Sequence, residues 1–553
     1  MKKRLSYSWA FGALVSLNLM IAGCASSTAT VALSPPPSPS TIACNHLSGE
    51  EIPTAVIGLP TTGATVTSAT LIASNAPDNA NGEYCKVLGI IHPVDPTAPG
   101  VQFELNLPSD WNGKALQRGG GGYDGKVIGA IDQVPFGPVG GPTPLAQGYA
   151  TFGSDSGHSS PSIADGHFLL NDESLADFGG NQIKKTHDVA VFLIRKRYDS
   201  APKRMYFAGN SQGGHEAFLA IQRWPADYDG AIATHPVYDF TILQLDGNYL
   251  SKKVYANQGA GWLNPNKLAL LQSEVLKACD GLDGAEDGVI SNVSACRKTF
   301  KISKLRCAGG KDTGDTCLSD AQIAVVKAID SRQSFGFPFA NGVNSFAGWP
   351  ILEGGDWSSI FTFGKHPVPS NPPALMNDFG LYVLSDPSIR FAITKDVNID
   401  SLTFEPGKWK ARTQQLSKLI DASDVDLTPF ASHGGKLLLM HGTVDTAVSP
   451  YNTIDYYKRL VARLGKRKAD SFMRFYLVPG FGHGTGSYIA SWDSLGALDA
   501  WVEKGIAPKD LVVADSGKAG NGRTRPLCEY PTWPKYNGTG DVNAASSFTC
   551  VKG

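Results

Sequence analysis

Short apolar runs that break abruptly into glycine-rich polar segments set the pattern of this chain. Arg204-Met-Tyr-Phe-Ala208 feeds Gly209-Asn-Ser-Gln-Gly213, after which Ala217, Phe218 and Ile221 recur at helical spacing until Trp224-Pro225 stops the run. That pattern predicts a strand, a tight turn and a helix. Lys436-Leu-Leu-Leu-Met-His-Gly442 reads as a buried strand leading directly into Thr443-Val444-Asp445. Met473-Arg-Phe-Tyr-Leu-Val478 reads as another, ending in Pro479-Gly-Phe-Gly-His483-Gly-Thr-Gly486. Buried strands joined by helices predict an α/β fold, and ligands of open α/β sheets gather at the carboxyl ends of the strands. From about Asp239 to Thr428 buried-strand runs thin out, and Gly, Pro and Trp become more frequent. We read 239–428 as a lid domain inserted into a catalytic domain made of 44–238 and 429–553. No internal repeat is present.

The polar segments hold the chemistry. In a G-x-S-x-G turn the serine sits on a cramped strand-to-helix bend, with glycines where a Cβ would crowd it, and this makes Ser211 the candidate nucleophile. In α/β-hydrolases the acid and the histidine follow the serine in that order, as Asp445 and His483 do here. His483 would take the Ser211 proton and return it to the leaving alcohol, held in the right tautomer by Asp445. His441 precedes the strand-end Gly442 and reads as structural, His158 lies upstream of the serine, and His215 points along the elbow helix. An oxyanion hole is expected from the run Gly119-Gly-Gly-Gly122, with the N–H near Gly121 paired to that of Gln212.

Composition narrows the class. With 49 basic and 50 acidic side chains the formal charge is −1, which gives no electrostatic case for nucleic acid. Met1-Lys-Lys-Arg4, an apolar stretch to Met20 and Ile21-Ala-Gly-Cys24 read as a lipoprotein signal peptide over 1–23, with Cys24 acylated; an ordinary secretory signal is the alternative. Either way the protein is exported, touching the membrane only through the anchor. Residues 24–43, with Ser34-Pro-Pro-Pro-Ser-Pro-Ser40, read as a disordered tether. Nine cysteines less Cys24 leave eight for an oxidising compartment, and eight allow 105 pairings.

Cys279-Asp280-Gly-Leu-Asp283-Gly-Ala-Glu-Asp287-Gly-Val289 places three carboxylates at short spacing between glycines, a loop able to wrap a hard cation although not an EF-hand. Taken without context it is an acidic turn.

Several segments together resemble the tannase/feruloyl esterase family of α/β-hydrolases: Asp177-Phe178-Gly179 with His187, Tyr206 to Gly214, Arg223-Trp-Pro-Ala-Asp-Tyr-Asp-Gly230, Asn452-Thr-Ile-Asp-Tyr-Tyr457 and Arg525-Pro-Leu-Cys-Glu-Tyr-Pro531. The similarity runs from about Cys44 to Cys550. It implies an α/β-hydrolase fold with a large inserted lid and a serine esterase acting on small esters of aromatic acids, with Ser211, Asp445 and His483 as triad. It also implies a structural Ca2+ held by Asp280, Asp283 and Asp287 and the carbonyls of Ala285 and Val289. With sequence proximity it suggests the disulfides Cys44–Cys85, Cys279–Cys296, Cys307–Cys317 and Cys528–Cys550. One departure stands out, because Asn210 and Gly484 occupy the places of the family's active-site cysteine pair. That departure motivates a rival reading, a catalytically weak exported lipoprotein that binds aromatic ligands in the same pocket. Trp349, Trp357, Phe361, Phe379 and Tyr382 are candidate lid aromatics for the substrate, and Arg390 and Arg412 candidate carboxylate anchors.

Overall fold

A ten-stranded mixed sheet carries the molecule, and its central strands are buried on both faces. The computed structural model describes residues 42–358, 361–518, 520 and 522–552. The signal peptide, Cys24 and all but the last two residues of the tether therefore lie outside the described residues. The sheet comprises β1 (Glu51–Ile52), β2 (Gly63–Ile72), β3 (Tyr84–His92), β4 (Val101–Pro108), β5 (Lys114–Arg118), β6 (Ala150–Ser154), β7 (Arg204–Asn210), β8 (Gly230–Thr234), β9 (Lys436–Gly442) and β10 (Met473–Val478), in the order 1-2-3-4-6-5-7-8-9-10. Strands β5 to β10 run parallel, while β1 to β4 form an antiparallel flank joined to β6.

The parallel strands alternate strictly between two cores, as a period of two requires. Phe207, Ala231, Ala233, Leu437, Leu439 and Phe475 face one layer, with Ile183, Val189 and Leu193 of α1 (Gln182–Tyr198), Ala217, Phe218 and Ile221 of α2 (Gln212–Arg223), and Tyr456 and Leu460 of α3 (Pro450–Leu464). Tyr206, Ala208, Ile232, Leu438, Met440 and Val478 face the other, against Leu495, Leu498 and Trp501 of α4 (Ser494–Lys504). This is the α/β-hydrolase fold: the helices cover both faces of the sheet, and α2 connects the parallel neighbours β7 and β8.

Among its described residues the stretch between β8 and β9 adds no strand to the sheet. It is built from helices such as Phe240–Gly259, Pro265–Cys279 and Asp320–Asp330, and one two-stranded ribbon of Gln333–Ser334 with Ser345–Phe346. Helix Asp320–Asp330 starts on a reciprocal cap, with Ser319 accepting from the Gln322 backbone and the Gln322 side chain accepting from that of Ser319. A separate apolar core fills this region, including Ile242, Leu245, Val254, Leu271, Val326, Trp349, Trp357, Phe379 and Tyr382. Four disulfides join Cys44–Cys85, Cys279–Cys296, Cys307–Cys317 and Cys528–Cys550, with Cα separations of 5.5, 5.1, 4.9 and 5.6 Å. They are the pairs that the family pattern and proximity suggested, and closures of this kind typically contribute about 2–4 kcal/mol each. Among the described residues no helix is long and apolar enough to cross a membrane.

Candidate active site

Ser211 sits between the last residue of β7 and the first of α2 with φ 60° and ψ −118°, a conformation that L-residues adopt only under constraint. The constraint is local crowding. A Cβ on Gly209 would lie 2.1 Å from the Gly213 carbonyl oxygen, and one on Gly213 would lie 2.9 Å from the Gly120 oxygen, so both positions must be glycine for the bend to close. The same contacts seat the glycine run against the elbow. Gly213 N–H donates to the Gly120 carbonyl at 3.1 Å, Gly119 N–H to the Ala208 carbonyl at 3.2 Å, and Gly120 N–H to Glu216 Oε2 at 2.8 Å. Gly121 meets no atom within 4 Å of an added Cβ and, with Gln212, lines the cavity in front of Ser211.

Glu216 and Asp124 support this arrangement from behind. Both are buried carboxyls: Glu216 accepts from Gln182 Nε2 at 2.8 Å, and Asp124 from Ser156 Oγ at 3.0 Å. Burial raises the Glu216 carboxyl, and burial with the Glu216 charge raises Asp124 well above its usual range.

Asp445 and His483 come from neighbouring strand ends. Asp445, on the loop after β9, is fully buried; its Oδ1 accepts from the backbone of Ala447 at 2.7 Å and Val448 at 3.0 Å. Its Oδ2 lies 2.9 Å from His483 Nδ1. Burial opposes its charge, but the His483 and His441 side chains outweigh that and hold the carboxyl well below the usual range, so it stays ionised. Ser211 and His483 line the same cavity of about 420 Å3, together with Arg118, Tyr123, Phe240, Gln244, Phe361 and Leu384.

The other three histidines weighed as candidates, His441, His215 and His158, have structural partners. His441 Nε2 donates to the Val448 carbonyl at 2.9 Å and lies 3.2 Å from Asp445 Oδ2, while its Nδ1 accepts from Thr453 Oγ1 at 2.8 Å. His215 is spent on the Ile420 carbonyl at 2.7 Å, and His158 on the Tyr123 carbonyl at 2.8 Å beneath the Phe168 ring. Of the five lid aromatics, Phe361 alone lines the cavity; Trp349, Trp357, Phe379 and Tyr382 are buried in the core of the inserted region. Arg390 is paired with Asp386 at 2.7 Å and Arg412 donates to the Ala392 carbonyl, both away from the cavity; the arginine at its edge is Arg118. Sequence reading missed Arg118, Tyr123 and Phe240. The first two flank the glycine run, the one signal that could have found them.

Asn210 accepts from His235 Nδ1 at 2.9 Å and from Thr234 Oγ1 at 3.1 Å, and Gly484 has φ 79° with only the Phe136 ring, 4.0 Å away, near an added Cβ. The elbow is thus tied to the end of β8 through Asn210 rather than to the His483 loop.

The acidic loop folds on itself around a short helical turn, Asp280–Asp283. Asp280 accepts from Gly288 N–H at 3.0 Å, Asp283 from Ala285 at 3.0 Å and from Ser291 at 2.9 Å, and Asp287 from Val289 at 2.9 Å and from the Arg525 guanidinium. Burial, and then the Asp287 charge, raise the Asp280 and Asp283 carboxyls.

Fold and site define an α/β-hydrolase with a serine at the elbow and an aspartate-held histidine at the neighbouring strand ends. The model of the tannase and feruloyl esterase family matches residues 85–551, and the chain belongs to that family. It is a carboxylic ester hydrolase. It is 43% identical to an uncharacterized esterase of Agrobacterium fabrum, covering 92% of this chain and 93% of that one. To the mono(2-hydroxyethyl) terephthalate hydrolase of Piscinibacter sakaiensis it is 30% identical, covering 88% and 89%. In fold it is similar to feruloyl esterase B from Aspergillus oryzae, with a TM-score of 0.74 at 23% identity over 92% of this chain and 100% of that one.

Proposed function

We propose that the protein is a serine esterase for esters of aromatic carboxylic acids, working through an acyl-enzyme with Ser211 as nucleophile, His483 as general base and acid, and Asp445 as its orienting partner. The observation that carries this reading is the shared cavity in which a constrained Ser211 and an Asp445-bonded His483 meet a glycine run. In the attack Ser211 Oγ adds to the ester carbonyl while its proton passes to His483 Nε2; the amides of Gly121 and Gln212 stabilise the oxyanion, and the alcohol leaves with that proton. Water repeats the sequence on the acyl-enzyme. Tyr123, Phe240 and Phe361 line the cavity where an aromatic acyl group would lie, and relatives named probable feruloyl esterase and mono(2-hydroxyethyl) terephthalate hydrolase favour the same class. The inserted region supplies Phe240, Gln244, Phe361 and Leu384 to that cavity, the part of a lid over 239–428.

The substrate class is tested with methyl ferulate, methyl gallate and a mono-terephthalate ester against methyl hexanoate. We expect kcat/KM for at least one aromatic ester to exceed that for the aliphatic one by tenfold or more. Equal values would remove the aromatic reading and leave a general esterase.

The same reading takes Asn210 and Gly484 as standing where relatives carry a cysteine pair, with Asn210 held by hydrogen bonds instead. It takes Cys24 as a lipid attachment site that keeps the exported enzyme at a membrane surface. The same reading assigns a structural Ca2+ to the loop of Asp280, Asp283 and Asp287 with the carbonyls of Ala285 and Val289: its donors are hard oxygens and Cys279–Cys296 braces it, while Asp287, paired here with the Arg525 guanidinium, would have to turn to the ion. Such an ion stabilises only the folded state. Excess chelator should therefore lower the melting temperature by several degrees while leaving kcat at low temperature nearly unchanged, and elemental analysis should give one calcium per chain. An unchanged melting curve with no calcium would remove the ion from the reading.

A further inference from the structure

His235 is the buried side chain near the site that the esterase reaction does not use. It follows β8 directly, with φ 45°, its N–H donating to the Met440 carbonyl at 2.9 Å and its side chain fully buried. Its ring lies among those of Phe136, Phe481, His441 and His483, at centroid distances of 5.5, 4.7, 4.9 and 5.3 Å. Nδ1 bonds Asn210 Oδ1, an atom that only accepts, so the hydrogen is on Nδ1 and Nε2 is a bare lone pair. That Nε2 is buried with no hydrogen-bond partner among the described residues. An unsatisfied buried acceptor costs roughly 1–3 kcal/mol.

An imidazole whose one nitrogen donates to an amide oxygen while the other stays bare is how proteins prepare a metal ligand. His235, Asp445 and His483 each offer a ligand atom, all within 4.8 Å of one another. We propose that these three residues form a site for a zinc-class divalent cation that switches the esterase off. Two imidazole nitrogens and one carboxylate oxygen suit Zn2+ or Co2+ and not the hard cations that take oxygen alone. Tetrahedral ligation needs donor separations of roughly 3.3 Å, from metal–nitrogen bonds of about 2.0–2.1 Å, so the three groups must draw together. His483 sits on a turn between Gly482 and Gly484, whose φ is 79°, and is the member left to make that approach. Asp445 is steadied by His441 and by the amides of Ala447 and Val448. The other histidine–carboxylate group among the described residues, His187 with Asp188 and Asp227, holds the Lys184 ammonium at 2.8 Å from each carboxylate and leaves less room for a cation.

The consequence rests on the triad reading. The metal takes the lone pair at His483 Nδ1, and the proton there moves through solvent to Nε2 of the same ring. No proton is lost overall and nothing is oxidised. The ring then presents an N–H to Ser211 and no longer accepts its proton. His483 is the one partly exposed member of the three, so entry requires its ring to move and the onset should be slow.

The test uses the full chain, freed of transition metals and kept in calcium. Added Zn2+ should reduce ester hydrolysis tenfold or more over minutes, and a zinc-selective chelator should restore it. Co2+ should bind one per chain by calorimetry, with the intense visible absorption of a low-coordinate nitrogen and oxygen site. His235→Phe keeps a ring of similar volume and should abolish both the zinc response and the cobalt absorption; His235→Gln makes the same test if Phe impairs folding. Ser211→Ala should keep the cobalt absorption although it is inactive. Equal zinc inhibition in wild type and both His235 variants, or no cobalt absorption in wild type, would overturn the site. Cobalt bound through His235 in a fully active enzyme would uphold the site and remove His483 as the base.

Discussion

Ser211→Ala should reduce kcat on an aromatic methyl ester by 10³-fold or more while leaving KM for the ester within a few-fold. The side chain removed is the one group that would form a bond to substrate, whereas the surfaces that position the ester remain: the glycine run, Tyr123, Phe240 and Phe361. Removing any member of a triad costs nearly the whole of its contribution, because the three act as a unit. Alanine also adopts the left-handed φ of 60° poorly, as serine does, so the substitution should alter stability little. Activity within tenfold of wild type, with the same melting temperature, would reject Ser211 as nucleophile.

How much of this site could be read from the chain depends on how local each part is. The elbow is local: strand, bend and helix lie within Arg204–Arg223, and the glycines the bend demands are visible in the letters. Asp445 and His483 lie 38 residues apart on loops after two strands, and the alternation of Leu437 to Met440 between two cores marks β9 as a central strand. Parts fixed by distant pairing were not legible. Nothing in Gly63–Pro108 announces that β2 to β4 pair antiparallel and join the parallel strands only through β6. Aromatic residues of the inserted region could not be sorted into lining and core, since Trp357, in the core, and Phe361, at the cavity, are the same kind of residue in the same stretch of sequence. Glu216 and Asp124 were missed because the closeness of two carboxyls 92 residues apart in sequence is a product of the glycine run folding against the elbow. His235 was missed for the same reason, as its partner Asn210 comes from the adjacent strand.

Asp445→Asn should be nearly as damaging as loss of the serine, on the order of 10³- to 10⁴-fold in kcat, although it changes the side chain by one atom. The carboxylate accepts every contact it makes: from Ala447 and Val448 on Oδ1, and from His483 and His441 on Oδ2. An amide has one accepting oxygen. If that oxygen keeps the two backbone N–H groups, the NH2 faces His483 Nδ1, which must then accept and carries its hydrogen on Nε2. That tautomer offers Ser211 a donor in place of a lone pair, so no base remains. If the amide turns over, its NH2 meets two backbone donors in a fully buried site, and one or more of them is left unsatisfied at roughly 1–3 kcal/mol each. The first arrangement costs less, so the variant should fold with a modest loss of melting temperature and lose turnover. Raising the pH should not rescue it, because the fault is which nitrogen bears the proton and not how many protons the ring carries. A pH–rate profile measured on purified Asp445→Asn should therefore stay low from pH 6 to pH 9. Recovery to within tenfold of wild type at the alkaline end would mean that His483 takes its tautomer from another group, and the role given to Asp445 would fall.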